Sequence, residues 1–151
     1  MRPFDSVTVG QYMLSLAKDK GYSLNITQVQ KLLFILYGYF FSKYNEPILS
    51  ESPKAWPYRP VFPRTRKHID FGVTFPLGHD TFKAIVDDTE LSEAVNRILD
   101  RFGSVSAGRL SAWSHKDGSA WERAVEEGGM GWNKPIKNDY IKEYFDEFTI
   151  I

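Results

Sequence analysis

Between Val29 and Phe40 the chain places Val29, Leu32, Leu33, Ile35, Leu36, Tyr39 and Phe40 so that apolar side chains cover most of a helix's circumference. A surface helix needs a single apolar stripe, whereas a helix that is apolar on most sides belongs at the centre of a domain. Residues Thr27 to Lys43 are therefore read as a buried spine, with Thr27-x-x-Gln30 supplying capping-box spacing at its start. The most hydrophobic run, Leu32 to Phe41, falls well short of the roughly 18 to 20 apolar residues that a membrane span needs. The fold class that follows is mainly α: a compact, single-domain bundle of about six helices spanning residues 1–151, with the others packed round the spine.

The partners of the spine show the same 3.6-residue logic. Tyr12, Met13, Leu16 and Ala17 make one face of a first helix, with Asp5 or Ser6 as cap and Gly21 as its left-handed close. Leu91, Val95, Ile98, Leu99 and Phe102 make another, opened by Asp88 or Thr89 and ended at Gly103. Ser106 opens a shorter helix carrying Leu110 and Trp113, and Ser119 begins a turn or two through Trp121, Ala124 and Val125. A final helix is predicted from about Asn138 to Phe148, with Tyr140, Ile141, Tyr144, Phe145 and Phe148 inward. Residues 73–88 show no clear period and fit either a short hairpin or an irregular excursion.

A chain of 151 residues suits one domain, since domains cluster at about 100 to 150 residues. It has no cysteine, which excludes disulfides, thiolate nucleophiles and Cys-based zinc sites and fits a reducing cytoplasm. Met1 to Asp5 lacks the long apolar stretch of a signal peptide. Formal net charge is zero, so the whole molecule has no general attraction to nucleic acid. Its distribution is uneven: residues 1–75 carry ten Lys or Arg against five Asp or Glu, and residues 76–151 carry nine against fourteen. Either opposite faces differ in sign, which suits oriented docking, or the halves neutralise each other across the core.

Reactive constellations are missing from the pattern. His68, His79 and His115 are scattered without the spacing that aims two ligands from one helical face, so no metal site is predicted. Ser111 and Ser114 lie close to His115 but outside any Gly-x-Ser-x-Gly elbow. Gly128-Gly129-Met130-Gly131 lacks both the preceding strand and the Lys-Ser/Thr of a phosphate loop. No catalytic residue and no cofactor is predicted. His115 sits where a helix stops and suits the orphan carbonyls there, while Trp121 reads as a core or subunit-facing ring.

The segment from Pro53 to Pro63 is more informative, because Pro53, Pro57, Pro60 and Pro63 forbid an ordinary helix and predict a stiff extended loop. It carries Trp56, Tyr58 and Arg59, the residue types that dominate interface hot spots, on a backbone that loses little entropy when bound. The competing expectation is a lid over the spine, and the two coexist if Trp56 points inward and Tyr58 and Arg59 outward. Arg64-Thr65-Arg66-Lys67-His68 follows as a basic run, a solvated helix face or a phosphate contact.

Taken in order, these segments resemble a known family. Gln30-Lys31-Leu32-Leu33-Phe34-Ile35-Leu36-Tyr37-Gly38-Tyr39 is similar to the Gln-Lys-Leu-Leu-Tyr-x-x-x-Gly-x signature of the Panacea domain, also called the SocA-like antitoxin or phage-associated protein domain. Ala55 to Pro63 resembles its Ala-Trp-x-Tyr-Gly-Pro-Val-x-Pro loop, Leu110 to Trp121 its Leu-Ser-x-x-Thr-His-x-x-x-Pro-Trp stretch, and Ile141 to Phe145 its closing helix. The chain departs from the pattern with Arg59 at a usual Gly, Ser114 for Thr, and Ser119-Ala120 before the Trp in place of Pro. Arg59 brings L-residue geometry and a cation to the loop.

The resemblance implies a compact helical antitoxin, encoded beside a cognate toxin protein that it neutralises by direct contact, without a cofactor. On that reading Tyr58, Arg59, Arg64 and Arg66 meet the toxin, and Trp56, His115 and Trp121 hold the surface in shape. An adaptor handing its partner to an intracellular protease and a DNA-binding regulator are the competing functions, and self-association into a homo-oligomer stays open.

Overall fold

The spine forms as α2, Ile26–Tyr44, and seals Val29, Leu32, Leu33, Leu36 and Tyr37 completely from solvent. Each such burial favours folding by about 1.5–3 kcal/mol, which is why the other helices gather on this one. The computed structural model describes residues 2–56, 59–114, 121–124 and 134–147. The cap of α2 is Asn25 rather than Thr27: Gln28 N–H donates to Asn25 Oδ1 and Asn25 N–H to Gln28 Oε1, both at 2.9 Å. Cap spacing occurs twice in this sequence, and the second pair loses because Gln30 is used elsewhere. Asn45 closes the helix at φ 57°, a left-handed conformation that Asn tolerates.

Against this spine lie α1, Ser6–Asp19, and α5, Thr89–Phe102. Asp5 caps α1 by accepting Thr8 N–H at 3.0 Å, Asp88 caps α5 by accepting Leu91 N–H at 3.1 Å, and Gly21 turns the chain at φ 89°. α6, Ala107–Ser114, turns Leu110 inward, and residues 121–124 are helical. The closing helix α7, Asn138–Glu147, runs along α2 with Ile141 and Phe145 buried, and the Phe145 ring meets Phe34 edge-on at 5.8 Å. Tyr37 O–H donates to Asn138 Oδ1 at 2.8 Å, tying the first residue of α7 to the spine. Near the N-terminus, Phe4 pairs with Leu49 in an isolated parallel bridge, with Phe4 N–H on Ile48 O and Ser50 N–H on Phe4 O, both at 2.8 Å.

Two segments differ from expectation. The proline-rich stretch is not a plain extended loop: β1, Lys54–Trp56, and β2, Arg59–Val61, pair antiparallel with Lys54 opposite Val61 and Trp56 opposite Arg59. A short strand β3, Lys134–Pro135, adds to the other side of β1, giving the order β2-β1-β3. Pro60 and Pro135 thus both sit on edge strands, where a missing donor costs the ladder least. The second difference lies in residues 73–88, where no hairpin forms. A 3₁₀ turn at Asp80–Phe82 runs into α4, Lys83–Asp87. Its inward face is only Phe82 and Ile85, a pair spaced for one helical turn and too short to register as a period. Pro63 opens α3, Pro63–His68, at the helix position that tolerates proline best. Among the described residues, no helix is long and apolar enough to cross a membrane.

Candidate functional site

The basic run becomes α3, with Thr65 fully buried and Arg64, Arg66, Lys67 and His68 on the outer side. Six residues cannot hold themselves as a helix in water, so other parts of the chain must fix them. At the start, Phe62 N–H donates to Gln30 Oε1 at 2.6 Å and Gln30 Nε2 donates back to Phe62 O at 3.3 Å. At the end, Asp70 N–H donates to Gln11 Oε1 at 2.7 Å and Gln11 Nε2 to Asp70 O at 3.1 Å. Each buried glutamine therefore copies the paired hydrogen bonds of an antiparallel ladder, one from α2 and one from α1.

A third clamp comes from Glu51. Phe62, at the N-cap of α3, has no side chain that can accept a hydrogen bond, and the Glu51 carboxylate takes over that task. It accepts the N–H of Arg64, the N–H of Thr65 at 3.1 Å, and the hydroxyls of Thr65 and Ser6, both at 2.8 Å. A carboxylate at a helix start also sits at the favourable end of the helix dipole. The same group thereby fastens α3 to the first turn of α1.

The residues expected at the contact are distributed as follows. Arg64 is paired with Asp5, the cap of α1. Burial alone would raise the Asp5 carboxyl, but the Thr8 hydroxyl and N–H together with Arg64 outweigh it and hold the group below the usual aspartate value. Arg66 lies over the Trp56 ring, 5.7 Å from guanidinium carbon to centroid. The Trp56 carbonyl accepts the Trp121 indole N–H at 2.7 Å, so Trp56, Trp121 and Arg66 form one connected unit across the hairpin, α3 and the 121–124 turn. Arg59 occupies an ordinary strand position opposite Trp56, where the Gly of the family pattern is not needed for backbone reasons. Tyr58 and His115 lie outside the described residues, as does the side chain of Arg59.

Gln11 and Glu51 are residues holding this face that the sequence pattern leaves unmarked, and it marks Gln30 only for the cap spacing and the family signature. Gln30 carried a signal, since a glutamine in the middle of an apolar helix needs a partner, but the cap spacing absorbed it. Glu51 carried none, because its role depends on a helix thirteen residues further on. Chemically the surface offers exposed guanidinium and ammonium groups on a backbone held in place, with the Arg66 guanidinium over an aromatic ring, which suits carboxylates on another molecule. Among the described residues no three of His, Cys, Asp or Glu gather as a metal site.

The comparisons bear on this same stretch. Residues 29–122, from the spine through the hairpin and α3 to the Trp121 turn, match the family described as "Antitoxin SocA-like, Panacea domain". The chain is also 25% identical over 154 aligned positions to "Antitoxin SocA" of Caulobacter vibrioides (strain NA1000 / CB15N), covering 93% of this chain and 82% of that one. No solved structure matches it.

Proposed function

Since the chain belongs to the SocA-like antitoxin family built on the Panacea domain, we propose that it is the antitoxin of a toxin–antitoxin pair and neutralises a cognate toxin protein by direct contact. The observation that carries this reading is the family match itself, which spans the spine, the hairpin and α3. Family membership supports a non-enzymatic role, in keeping with a surface of exposed cations and rings on a clamped helix.

The contact is assigned to the β1–β2 hairpin and α3, with Tyr58, Arg59, Arg64 and Arg66 facing the toxin and Trp56, His115 and Trp121 supporting them. Three clamps on a six-residue helix support the choice, because a surface ordered before binding loses less entropy on binding. Neutralisation is by steric capping.

Expression of the neighbouring reading frame with and without this gene tests the proposal. The toxin should stop growth alone and lose its effect when the two are co-expressed. A harmless neighbour, or one that stays lethal in the presence of this protein, overturns the reading. A partner that vanishes rather than persisting in a bound complex would replace capping by delivery to a protease. Tyr58→Ala and Arg59→Ala should each weaken toxin binding by more than about 1 kcal/mol if the hairpin tip holds hot spots.

A further inference from the structure

Just beyond α3 the chain exposes two apolar side chains on a turn that is firmly held. Phe71 is 45% exposed and Val73 40%, and with Val86 they are the large hydrophobics that stand exposed among the described residues. An exposed turn of this kind would be unremarkable if it were loose. Instead, Gln11 grips Asp70 through both backbone groups and also reaches Val73 O at 3.5 Å, while Asp70 Oδ1 accepts Gly72 N–H at 2.8 Å. Ile69 packs inward against the core from the same segment. A buried glutamine is thus committed to presenting Phe71 and Val73 to water in one fixed arrangement.

The turn directly before it is basic. Lys67 and His68 are exposed and Arg66 lies over Trp56, and none of the three makes an ion pair among the described residues. The acidic group at this place, Asp70, has one carboxylate oxygen engaged by Gly72 N–H. From this juxtaposition we infer that residues 66–73 form a docking ledge for a protein segment that carries carboxylates beside an apolar side chain. Arg66, Lys67 and His68 take the carboxylates, and Phe71 and Val73 receive the apolar group. A nucleic acid fits less well, since the chain is neutral overall and the ledge pairs one exposed ring, Phe71, with an aliphatic Val73 rather than with a second stacking platform. The inference rests on reading α3 as a binding face, and it adds the chemistry of the partner and four residues, Lys67, His68, Phe71 and Val73, to that face.

The test uses the full ¹⁵N-labelled chain and a synthetic 14-residue peptide in which leucine and phenylalanine are flanked by glutamates. Amide shifts should move at residues 66–73, and affinity should fall at least fivefold on Phe71→Ser and on Lys67→Glu. Val86→Ser, a change at a comparably exposed position on α4, should leave affinity unaltered. Three further probes are run: the same peptide with lysines for glutamates, one with serines for the apolar residues, and a 14-nucleotide single-stranded DNA. Equal response to any of them overturns the ledge, as do shifts confined elsewhere or no shift. Growth rescue decides the antitoxin reading separately. A chain that rescues growth but ignores the peptide keeps its function and loses the ledge, and a chain that takes the peptide without rescuing growth does the reverse.

Discussion

Gly38 lies inside α2, where glycine normally weakens a helix by about 1 kcal/mol relative to alanine. Its reason for being there is Phe145: a Cβ built on Gly38 would stand 2.2 Å from Phe145 Cε2, so the ring of α7 rests directly on the spine's backbone. Gly38→Ala sets that propensity gain against an overpacking penalty of about 1–3 kcal/mol, because the ring is itself buried and packed edge-on against Phe34. Net destabilisation of up to about 2 kcal/mol is expected in urea denaturation, and a variant more stable than the parent would show that α7 yields freely. Asp88 gives a second case. Burial alone would raise its carboxyl, but the Arg2 guanidinium, at 3.0 and 3.2 Å, and Leu91 N–H outweigh burial and hold it below the usual value. A depressed carboxyl stabilises the fold above its unfolded value of about 4 and loses that contribution as pH falls through the lower folded value. Asn caps helices as well as Asp does, so Asp88→Asn isolates the charge. It should lower stability at neutral pH and flatten the loss of stability below about pH 4, and superimposable acid limbs for the two proteins would rule this out.

The helices were legible wherever a full apolar face repeated, as in α1, α2, α5 and α7, because burial of such a face outweighs every local preference. Local structure fixed by distant partners leaves no such periodic mark. Proline spacing excluded a helix at 53–63 but could not show β1 meeting β3, since β3 lies some eighty residues away. The basic run reads as a solvated helix face, yet nothing near it in sequence points to Gln11, Gln30 or Glu51 as the holders of α3. These clamps can be tested as an element. Gln30→Leu leaves the Phe62 N–H and C=O without partners in the core, at about 1–3 kcal/mol for each unsatisfied group. Glu51→Ala removes the acceptor for two helix-start amides and two buried hydroxyls, a loss of about 2–4 kcal/mol. Hydrogen exchange should locate the loosening at Phe62 to Asp70 in both variants while α5 keeps its protection. Uniform loss of protection across the molecule would mean that α3 is no separate unit.

At the scale of the whole chain, the two halves of opposite charge partly cancel. Arg2 reaches Asp88 and Glu90, and Lys20 reaches Asp100 at 2.8 Å, each joining a basic residue of the first half to acids of the second. α3 stays outside that cancellation, with Arg64 taken by Asp5 of its own half and Arg66, Lys67 and His68 left without an ion pair among the described residues. Arg2–Asp88 is the half-buried member, screened less by salt, while the pairs that end on the exposed Glu90 and Asp100 carboxylates contribute about 0–1 kcal/mol each to stability, so salt should change the unfolding midpoint little. Association differs, because an uncancelled patch steers a partner over the distance of a Debye length, about 10 Å at 0.1 M salt. On the proposed contact at α3, the rate of toxin association should therefore fall by about tenfold between about 0.05 and 0.5 M salt, with the dissociation rate nearly constant. Neutralising Arg66 and Lys67 together to glutamine should slow association at low salt and remove most of the salt dependence. Stopped-flow mixing measures both quantities. An association rate indifferent to salt in the parent protein would mean that the charge left on α3 has no part in finding the partner.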